Sequence, residues 1–125
     1  MARQKKKTES ELLSEIIIQG IAEKKGKDIV SIDLGAIKSS ICDYFIVCHG
    51  TSRPHVEAIA DSVEKEVRKA IGLKPLHKEG FQNSEWILLD YIDVIVHIFM
   101  EKTRDFYQLE TLWADAEIKH YEYEE

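Results

Sequence analysis

The sequence predicts an α/β domain with a small mixed β-sheet and helices packed on it. Three observations lead to this prediction. Some segments have apolar residues at helical spacing, others alternate apolar and polar residues or are apolar throughout, and the two kinds are interspersed along the 125 residues. Because a chain of this length forms about one domain, we expect a single domain over residues 8–119. A basic tail at 1–7 and an acidic tail at 120–125 would flank it.

The first part of the chain predicts a helix followed by two strands. A capping box at Thr8 and Glu11 begins a segment with Leu and Ile at helical spacing, and Gly26 offers its end. The segment "DIVSIDL" at 28–34 alternates as a half-buried strand does. The segment "YFIVCH" at 44–49 is more apolar and predicts a more fully buried strand.

A second helix follows, and its pattern is the clearest in the sequence. Pro54 fits the first helical position and Gly72 the end. Between them, apolar residues form one stripe and charged residues the opposite face, which a solvated surface explains. The next segment, "LKPLHKEGF" at 73–81, predicts an edge strand or a loop, because Pro75 cannot donate to a central ladder.

The apolar patterns of the next segments predict a hairpin at 86–99 and a last helix at 103–120. The apolar residues expected on one face of that helix are Phe106, Leu109, Leu112, Trp113 and Ala116. A hairpin turn on Tyr91 and Ile92 would make three opposed pairs: Asp90 with Asp93, Leu88 with Ile95, and Trp86 with His97.

The two faces of this hairpin differ in character. One is aliphatic and suits burial under helices. The other combines Trp, His and two carboxylates with apolar residues. It resembles the centre of a protein interface, in which Trp is enriched. The alternative is that His97 hydrogen-bonds inside the fold and Trp86 only covers the sheet.

The expected turn conflicts with its own sequence. A two-residue turn favours positive φ, which strains a β-branched residue such as Ile92. Either the loop is wider than two residues, or Ile92 adopts an unfavourable conformation. Facing carboxylates at Asp90 and Asp93 would also repel each other, unless they accept backbone N–H groups, bind a cation or meet a basic partner.

Composition and charge narrow the functional classes. The net charge is −6 and the N-terminal tail is basic, so the body of the chain is more acidic still. This disfavours a broad nucleic-acid clamp and suits a basic protein partner, although acidity can also serve solubility alone.

No apolar run reaches the length of a membrane span and no secretory signal is visible, so we expect a cytoplasmic protein. Cys42 and Cys48 would lie about 20 Å apart in an extended segment, which predicts two buried thiols without a shared metal or disulfide.

A catalytic role has weaker support. The segment "HGTS" at 49–52 precedes a helix and could hold an anion there. However, it lacks the grouped carboxylates and basic cluster that nucleotidyl transfer requires, and Ser52 lacks the surroundings of an acyl-transfer nucleophile. A nucleotidyltransferase-like enzyme with a vestigial site stays open as the alternative; its residues would be Thr51, Ser52, Asp90 and Asp93.

Three segments, in this order, resemble the ribosomal silencing factor family, also called Iojap-like proteins. They are "CDYFIVCHGTSRPHVEAIADSVEKEV", "KEGFQNSEWILLDYIDVIVHIF" and "RDFYQLETLWADA", and the similarity extends from Asp28 to Ala116. The resemblance implies an α/β fold similar to that of nucleotidyltransferases, without their activity and without a cofactor or metal. It also implies binding to the large ribosomal subunit through ribosomal protein L-fourteen, which would block joining of the small subunit and repress translation.

The resemblance further implies where the partner binds. Family elements match Trp86 and Asp90, the run from Asp93 to His97, the last helix, and an N-terminal pattern at Asp43, Ser52 and His55. The residues expected to bind the partner are Trp86, Leu88, Asp90, Tyr91, Asp93, His97, Arg104, Tyr107, Glu110 and Trp113. Leu109 and Leu112 are expected in the core.

The resemblance also bears on the oligomeric state. Family members have been seen as dimers, so a homodimer is a further implied state, and no membrane partner is implied. Apart from the resemblance, the basic run "RQKKK" at 3–7 is a candidate for a weak contact with ribosomal RNA, although such a run is more often a solvated tail. Finally, family members usually carry Gly where this chain has Ile92, so the turn is expected to differ here.

Overall fold

The computed structural model describes residues 8–35, 37 and 42–122. In this part of the chain, helices and strands are interspersed and form an α/β domain. The helices are α1 (Glu9–Glu23), α2 (Arg53–Ile71), α3 (Glu101–Tyr107) and α4 (Leu109–Leu112). The strands are β1 (Lys27–Asp33), β2 (Tyr44–Gly50), β3 (His77–Glu79), β4 (Trp86–Asp90), β5 (Val94–Met100) and β6 (Glu117–Tyr121). The predicted fold class is confirmed.

The six strands form one mixed sheet in the order β3-β4-β5-β2-β1-β6. Strands β2 and β5 pair in parallel, and every other neighbouring pair is antiparallel. Helices α1 and α2 pack on one face, over a core of aliphatic side chains from both helices and the central strands. The opposite face carries a second apolar cluster, which is partly covered by the segment that contains α4.

The two long helices begin where the sequence predicts. The side chain of Thr8 accepts a hydrogen bond from Glu11 N at 3.1 Å, and Glu11 Oε1 accepts one from Thr8 N at 2.8 Å. Ser52 caps α2 by accepting from His55 N at 3.2 Å. Gly72 ends α2 with φ 71°, which glycine adopts without steric strain. None of the helices in the described residues is long and apolar enough to cross a membrane.

Two sequence predictions about the strands need correction. Strand β1 is more buried than a half-buried strand, because it lies between β2 and β6 and both of its faces are covered. The predicted helix at 103–120 is instead two short helices and a strand. Gln108 breaks the helix with φ 47°, and residues 117–121 alternate across the sheet edge as β6 beside β1.

The tails lie mostly outside the described residues. The predicted basic tail at 1–7 does so completely, and it includes the run "RQKKK". Of the predicted acidic tail, His120 and Tyr121 belong to β6, while residues 123–125 lie outside the described part. Both cysteines are free and buried, as the sequence predicts, with Cys42 and Cys48 in different apolar clusters.

Candidate functional site

Strands β4 and β5 form the predicted hairpin, and it carries most of the candidate residues. Six of its side chains lie on one sheet face, which we call the mixed face; they oppose each other as Trp86 with Phe99, Leu88 with His97, and Asp90 with Ile95. The aliphatic side chains lie on the other face, completely buried beneath the long helices: Ile87, Leu89, Val94, Val96 and Ile98. The predicted division between an aliphatic and a mixed face is confirmed.

The predicted register of this hairpin is wrong by two residues. The turn is centred on Ile92 and Asp93, because Tyr91 N donates to Val94 O at 2.9 Å. Trp86 therefore does not lie opposite His97, nor Leu88 opposite Ile95, nor Asp90 opposite Asp93. A shift of two residues keeps every side chain on its face, since side chains alternate with a period of two. Hydrophobic periodicity thus predicts the faces without determining the pairs.

Ile92 adopts the strained conformation that the sequence left as one possibility. Its φ is 75°, and Asp93 N donates to Tyr91 O at 2.9 Å, which closes a three-residue γ-turn around Ile92. Positive φ crowds the branched side chain of Ile92, which points into solvent. Glycine, the residue that the family resemblance leads us to expect at this position, adopts this φ freely.

The two turn carboxylates have separate surroundings. Asp90 Oδ1 accepts a hydrogen bond from Ile92 N at 2.8 Å, so the carboxylate of Asp90 stabilises the turn. Asp93 is exposed, and its backbone carbonyl accepts from Asp43 N and Tyr44 N at 2.8 and 3.2 Å. The expected repulsion between facing carboxylates is absent because Asp90 lies opposite Ile95 instead.

Trp86 and His97 are joined on the mixed face. Trp86 Nε1 donates a hydrogen bond to His97 Nδ1 at 3.1 Å, which assigns the ring proton of neutral His97 to Nε2. His97 is buried, and burial lowers the pKa of its imidazole to about 4. The imidazole is therefore neutral at physiological pH. His97 hydrogen-bonds inside the fold, while Trp86 is only half-buried.

An aromatic cluster surrounds this pair. The Trp86 ring lies 4.8 Å from that of Phe99 and 4.9 Å from that of Tyr107, measured between ring centroids. The His97 ring lies 4.8 Å from Phe45 in an edge-to-face arrangement. Such offset and edge-to-face contacts between rings add to the stabilisation from burial. The mixed face is thus partly core, and its aromatic members hold one another in place.

Gly80 brings the loop before β4 against Trp86. Gly80 has φ 93°, and a Cβ there would overlap the carbonyl oxygen of Trp86. Any side chain would force the loop away from this strand. Gly80 is not among the residues predicted from the sequence, although an isolated Gly beside an expected strand signals a close backbone approach.

Arg104 is buried and forms a polar network, so its guanidinium is not at the surface where we expected it. Its Nη2 atom lies 2.7 Å from Glu110 Oε2, and its Nη1 atom lies 3.0 Å from His49 Nδ1 and 3.4 Å from Lys27 O. Burial opposes ionisation of Glu110, but the hydrogen bonds and charge of Arg104, together with a backbone N–H, outweigh it and lower the pKa of Glu110. Burial and the Arg104 charge lower the pKa of His49.

Tyr91 also lies away from the mixed face. It is 6% exposed and belongs to the core beneath the long helices. Burial raises the pKa of its phenol far above the usual range. Of the ten residues expected to bind a partner, Tyr91, His97 and Arg104 are therefore buried. The other seven are half-buried or exposed: Trp86, Leu88, Asp90, Asp93, Tyr107, Glu110 and Trp113.

Two apolar residues that we assigned to a helical core face are exposed instead. Phe106 is 79% exposed and Leu112 is 73% exposed, because the break at Gln108 turns their side chains away from the sheet. Leu109 and Trp113 are half-buried and pack on the second apolar cluster. An uninterrupted helical pattern across the break hides this difference from sequence reasoning.

The structure does not bring the alternative catalytic residues together. Thr51 and Ser52 follow the end of β2, whereas Asp93 bonds to the residues that begin β2. The length of this strand separates them by about 20 Å. Thr51 N donates to His55 Nδ1 at 2.9 Å, and Ser52 caps α2. Within the described residues, no group of three His, Cys, Asp or Glu side chains could hold a metal ion.

Comparisons with known proteins point to one family. The family model described as "Ribosomal silencing factor during starvation" matches residues 6–125. The chain is 42% identical to the ribosomal silencing factor of Haemophilus influenzae over 102 residues, which are 82% of this chain and 98% of that one. It is 39% identical to the ribosomal silencing factor of Bacillus subtilis over 94 residues, 75% of this chain and 78% of that one.

A solved structure supports the same relationship. A crystal structure of a protein from Chromobacterium violaceum superposes with a TM-score of 0.80 and 34% sequence identity, covering 86% of this chain and 88% of that one. The six-stranded mixed sheet and its helices are therefore shared with a relative whose coordinates were determined by experiment.

Proposed function

The chain belongs to the ribosomal silencing factor family, and on that premise we propose that it binds the large ribosomal subunit through ribosomal protein L-fourteen and sterically blocks joining of the small subunit. Membership in this family makes it a ribosome-associated regulator of translation. The proposed function does not require the protein to catalyse a reaction. It requires only a surface whose occupation is incompatible with subunit joining, so the affinity relative to that of the small subunit decides the effect.

The observation that carries the proposal is a half-exposed strip of the mixed face along β4, formed by the side chains of Trp86 and Leu88. Trp86 and Leu88 line a shallow groove of about 240 Å³ together with Glu79 and Gly80. The indole is held by the hydrogen bond to His97, and the loop before β4 is held by Gly80. A rigid aromatic and aliphatic strip with a polar rim is the arrangement typical of protein interfaces.

The charges around this strip suit a basic partner. Asp90 follows Leu88 by two residues on β4, Glu79 lies opposite Leu88 on β3, and Asp93 is exposed at the adjacent turn. A ribosomal protein that contacts RNA carries clustered Lys and Arg, so an acidic rim adds complementary potential and orients the encounter. Exposed Tyr107 extends the apolar strip beyond Trp86.

We test this assignment with Leu88→Asp, which places a charge in the strip without removing a hydrogen bond. Binding to purified bacterial large subunits and to isolated L-fourteen should weaken by on the order of 30-fold, or about 2 kcal/mol, as for a disrupted interface centre. Inhibition of subunit joining, followed by light scattering, should weaken in parallel.

Leu12→Asp is the matched control, because Leu12 is an exposed leucine on α1, away from the mixed face. It should bind as the unaltered protein does, and circular dichroism should show both variants folded. Equal binding by a folded Leu88→Asp variant, or no binding of the unaltered protein to L-fourteen, would refute the proposal.

Three further parts of the proposal concern the localisation, the oligomeric state and a contact with RNA. We place the protein in the cytoplasm, where the subunits of its bacterial relatives join. We propose a homodimer as a second state, to be tested by light scattering across a concentration series. We also propose that the run at 3–7 adds a weak contact with ribosomal RNA, so deleting residues 2–7 should weaken subunit binding more at low salt than at high salt.

A further inference from the structure

The segment from Lys65 to Lys78 has a charge opposite to that of the whole chain. It contains five Lys and Arg residues and one acidic residue, in a chain whose net charge is −6. The basic residues are Lys65, Arg68, Lys69, Lys74 and Lys78. They cover the last turns of α2 and continue into β3. Positive charge is therefore concentrated at one place in an acidic domain.

Four of these cations, all except Lys69, line both walls of a groove of about 600 Å³ between α2 and the segment that leads into β3. Lys65 and Arg68 stand one helical turn apart on the α2 wall, and Lys74 and Lys78 stand on the other. Asp61 and Glu64 also line the groove, but Lys78 Nζ lies 3.3 Å from Glu64 Oε1 and pairs with it.

Most of these cations form no ion pair with the part of the chain that the structure describes. Within residues 8–35, 37 and 42–122, no carboxylate forms an ion pair with Lys65, Arg68, Lys69 or Lys74. All four are exposed. Unpaired, exposed Lys and Arg side chains on two facing walls are arranged for a ligand with repeated negative charge.

The groove and the mixed face flank the same edge of the sheet. Lys78 of β3 lies opposite Leu89, whose side chain is on the helix-bearing face, while Glu79 lies opposite Leu88 of the mixed face. The three residues of β3 therefore separate the two surfaces. A large partner seated on the mixed face would extend past this edge and lie against the groove.

We infer that this groove binds the phosphate backbone of ribosomal RNA while the mixed face binds protein. The inference rests on the proposed function for its setting, because the large subunit surrounds its surface proteins with RNA. A phosphodiester strand carries a negative charge at every nucleotide and would run between the two walls of cations. Such contacts position the protein without reading sequence, which suits a groove lined by charged side chains.

The test removes two charges from the groove and compares binding to three probes. The variant Arg68→Gln/Lys74→Gln should bind purified large subunits on the order of tenfold more weakly at about 0.1 M salt. The slope of log affinity against log salt should fall by about two, because each removed cation leaves one phosphate without its neutralising partner. Its affinity for isolated L-fourteen should equal that of the unaltered protein. At low salt, its binding to a fluorescent RNA duplex should be weaker.

Lys24→Gln/Lys119→Gln removes the same charge from two residues that do not line the groove, and it is the control. Lys24 follows α1, and Lys119 lies in β6, at the opposite edge of the sheet from β3. This variant should match the unaltered protein with every probe. Equal weakening in the two double variants, or unchanged subunit affinity and salt slope in Arg68→Gln/Lys74→Gln, would overturn the inference.

The probes also separate this inference from the proposed function. Weaker binding of Arg68→Gln/Lys74→Gln to L-fourteen, with RNA binding unchanged, would assign the groove to a protein partner and overturn the inference. If the unaltered protein fails to bind L-fourteen, the proposed function falls and the RNA duplex decides the inference. In the measurement with the RNA duplex, Arg68→Gln/Lys74→Gln must bind more weakly than the control variant.

Discussion

Trp86 Nε1 lies 3.1 Å from His97 Nδ1, although the two residues are diagonal neighbours rather than opposed residues on β4 and β5. The bond joins an indole at the edge of the strip to an imidazole inside the fold. The orientation of the surface residue is thus fixed by a residue that a partner would not reach. A change at either position would alter stability as well as the proposed binding surface.

Trp86→Phe should separate the hydrogen bond from the ring packing. It keeps an aromatic ring beside Phe99 and Tyr107 but leaves buried His97 Nδ1 without its donor, so the free energy of unfolding should fall by about 1 to 3 kcal/mol. Trp86→Ala also removes the ring packing, and its free energy of unfolding should fall by about 3 to 5 kcal/mol. Urea unfolding of the two variants measures the difference. Equal decreases would mean that the hydrogen bond dominates and that the ring packing adds nothing.

His97 should make the domain less stable in mild acid. Its folded pKa of about 4 lies below the ordinary value of 6.5, so the unfolded chain takes up a proton first as the pH falls. The contribution of neutral His97 to the free energy of unfolding is therefore fully present above pH 6.5, and it is lost as the pH falls from 6.5 to about 4. From pH 7 to pH 5 the loss should reach about 2 kcal/mol.

His97→Gln is the variant that checks this pH dependence. Its amide oxygen can accept the bond from Trp86 Nε1, and it does not titrate. Urea unfolding across the same pH range should therefore show a shallower loss of stability than in the unaltered protein. Parallel curves would mean that another group, such as His49, accounts for the acid sensitivity.

Ile92→Gly should stabilise the domain. A non-glycine residue at φ 75° carries a strain of about 1 to 3 kcal/mol, and glycine removes it while adding about 1 kcal/mol of chain entropy to lose on folding. We expect a net gain of about 1 kcal/mol in thermal or urea unfolding. Ile92→Ala keeps the positive φ strained and should show no comparable gain. A lower stability of the glycine variant would mean that the exposed Ile92 side chain stabilises the turn.

The sequence is sufficient to predict the faces of the hairpin but not its register. Alternation assigns Trp86 and His97 to one face in either register, because the two registers differ by two residues. The turn decides between them, and it is held by backbone hydrogen bonds around Ile92 that have no sequence signal of their own. The missing Gly at this position indicates strain without indicating where the strands pair.

The last part of the chain shows a different limit. The apolar residues from Phe106 to Leu112 do recur at helical spacing. However, Gln108 between them adopts a left-handed conformation and breaks the helix. Strand β6 forms because β1 offers it an open edge, which is a tertiary effect that a local pattern does not contain. Arg104 and Tyr91 are buried rather than at the expected surface for a similar reason, since burial depends on which elements pack around each side chain.

The short outer strand of the sheet also limits how copies of this protein can associate. Strand β3 has three residues, all polar and exposed, and Pro75 precedes it. Short strands with charged side chains and nearby proline are poor templates for the addition of another strand. Chains that meet at this edge will not continue one another's sheet into fibrils. A dimer that forms at this edge would therefore depend on side-chain packing, which single substitutions can adjust.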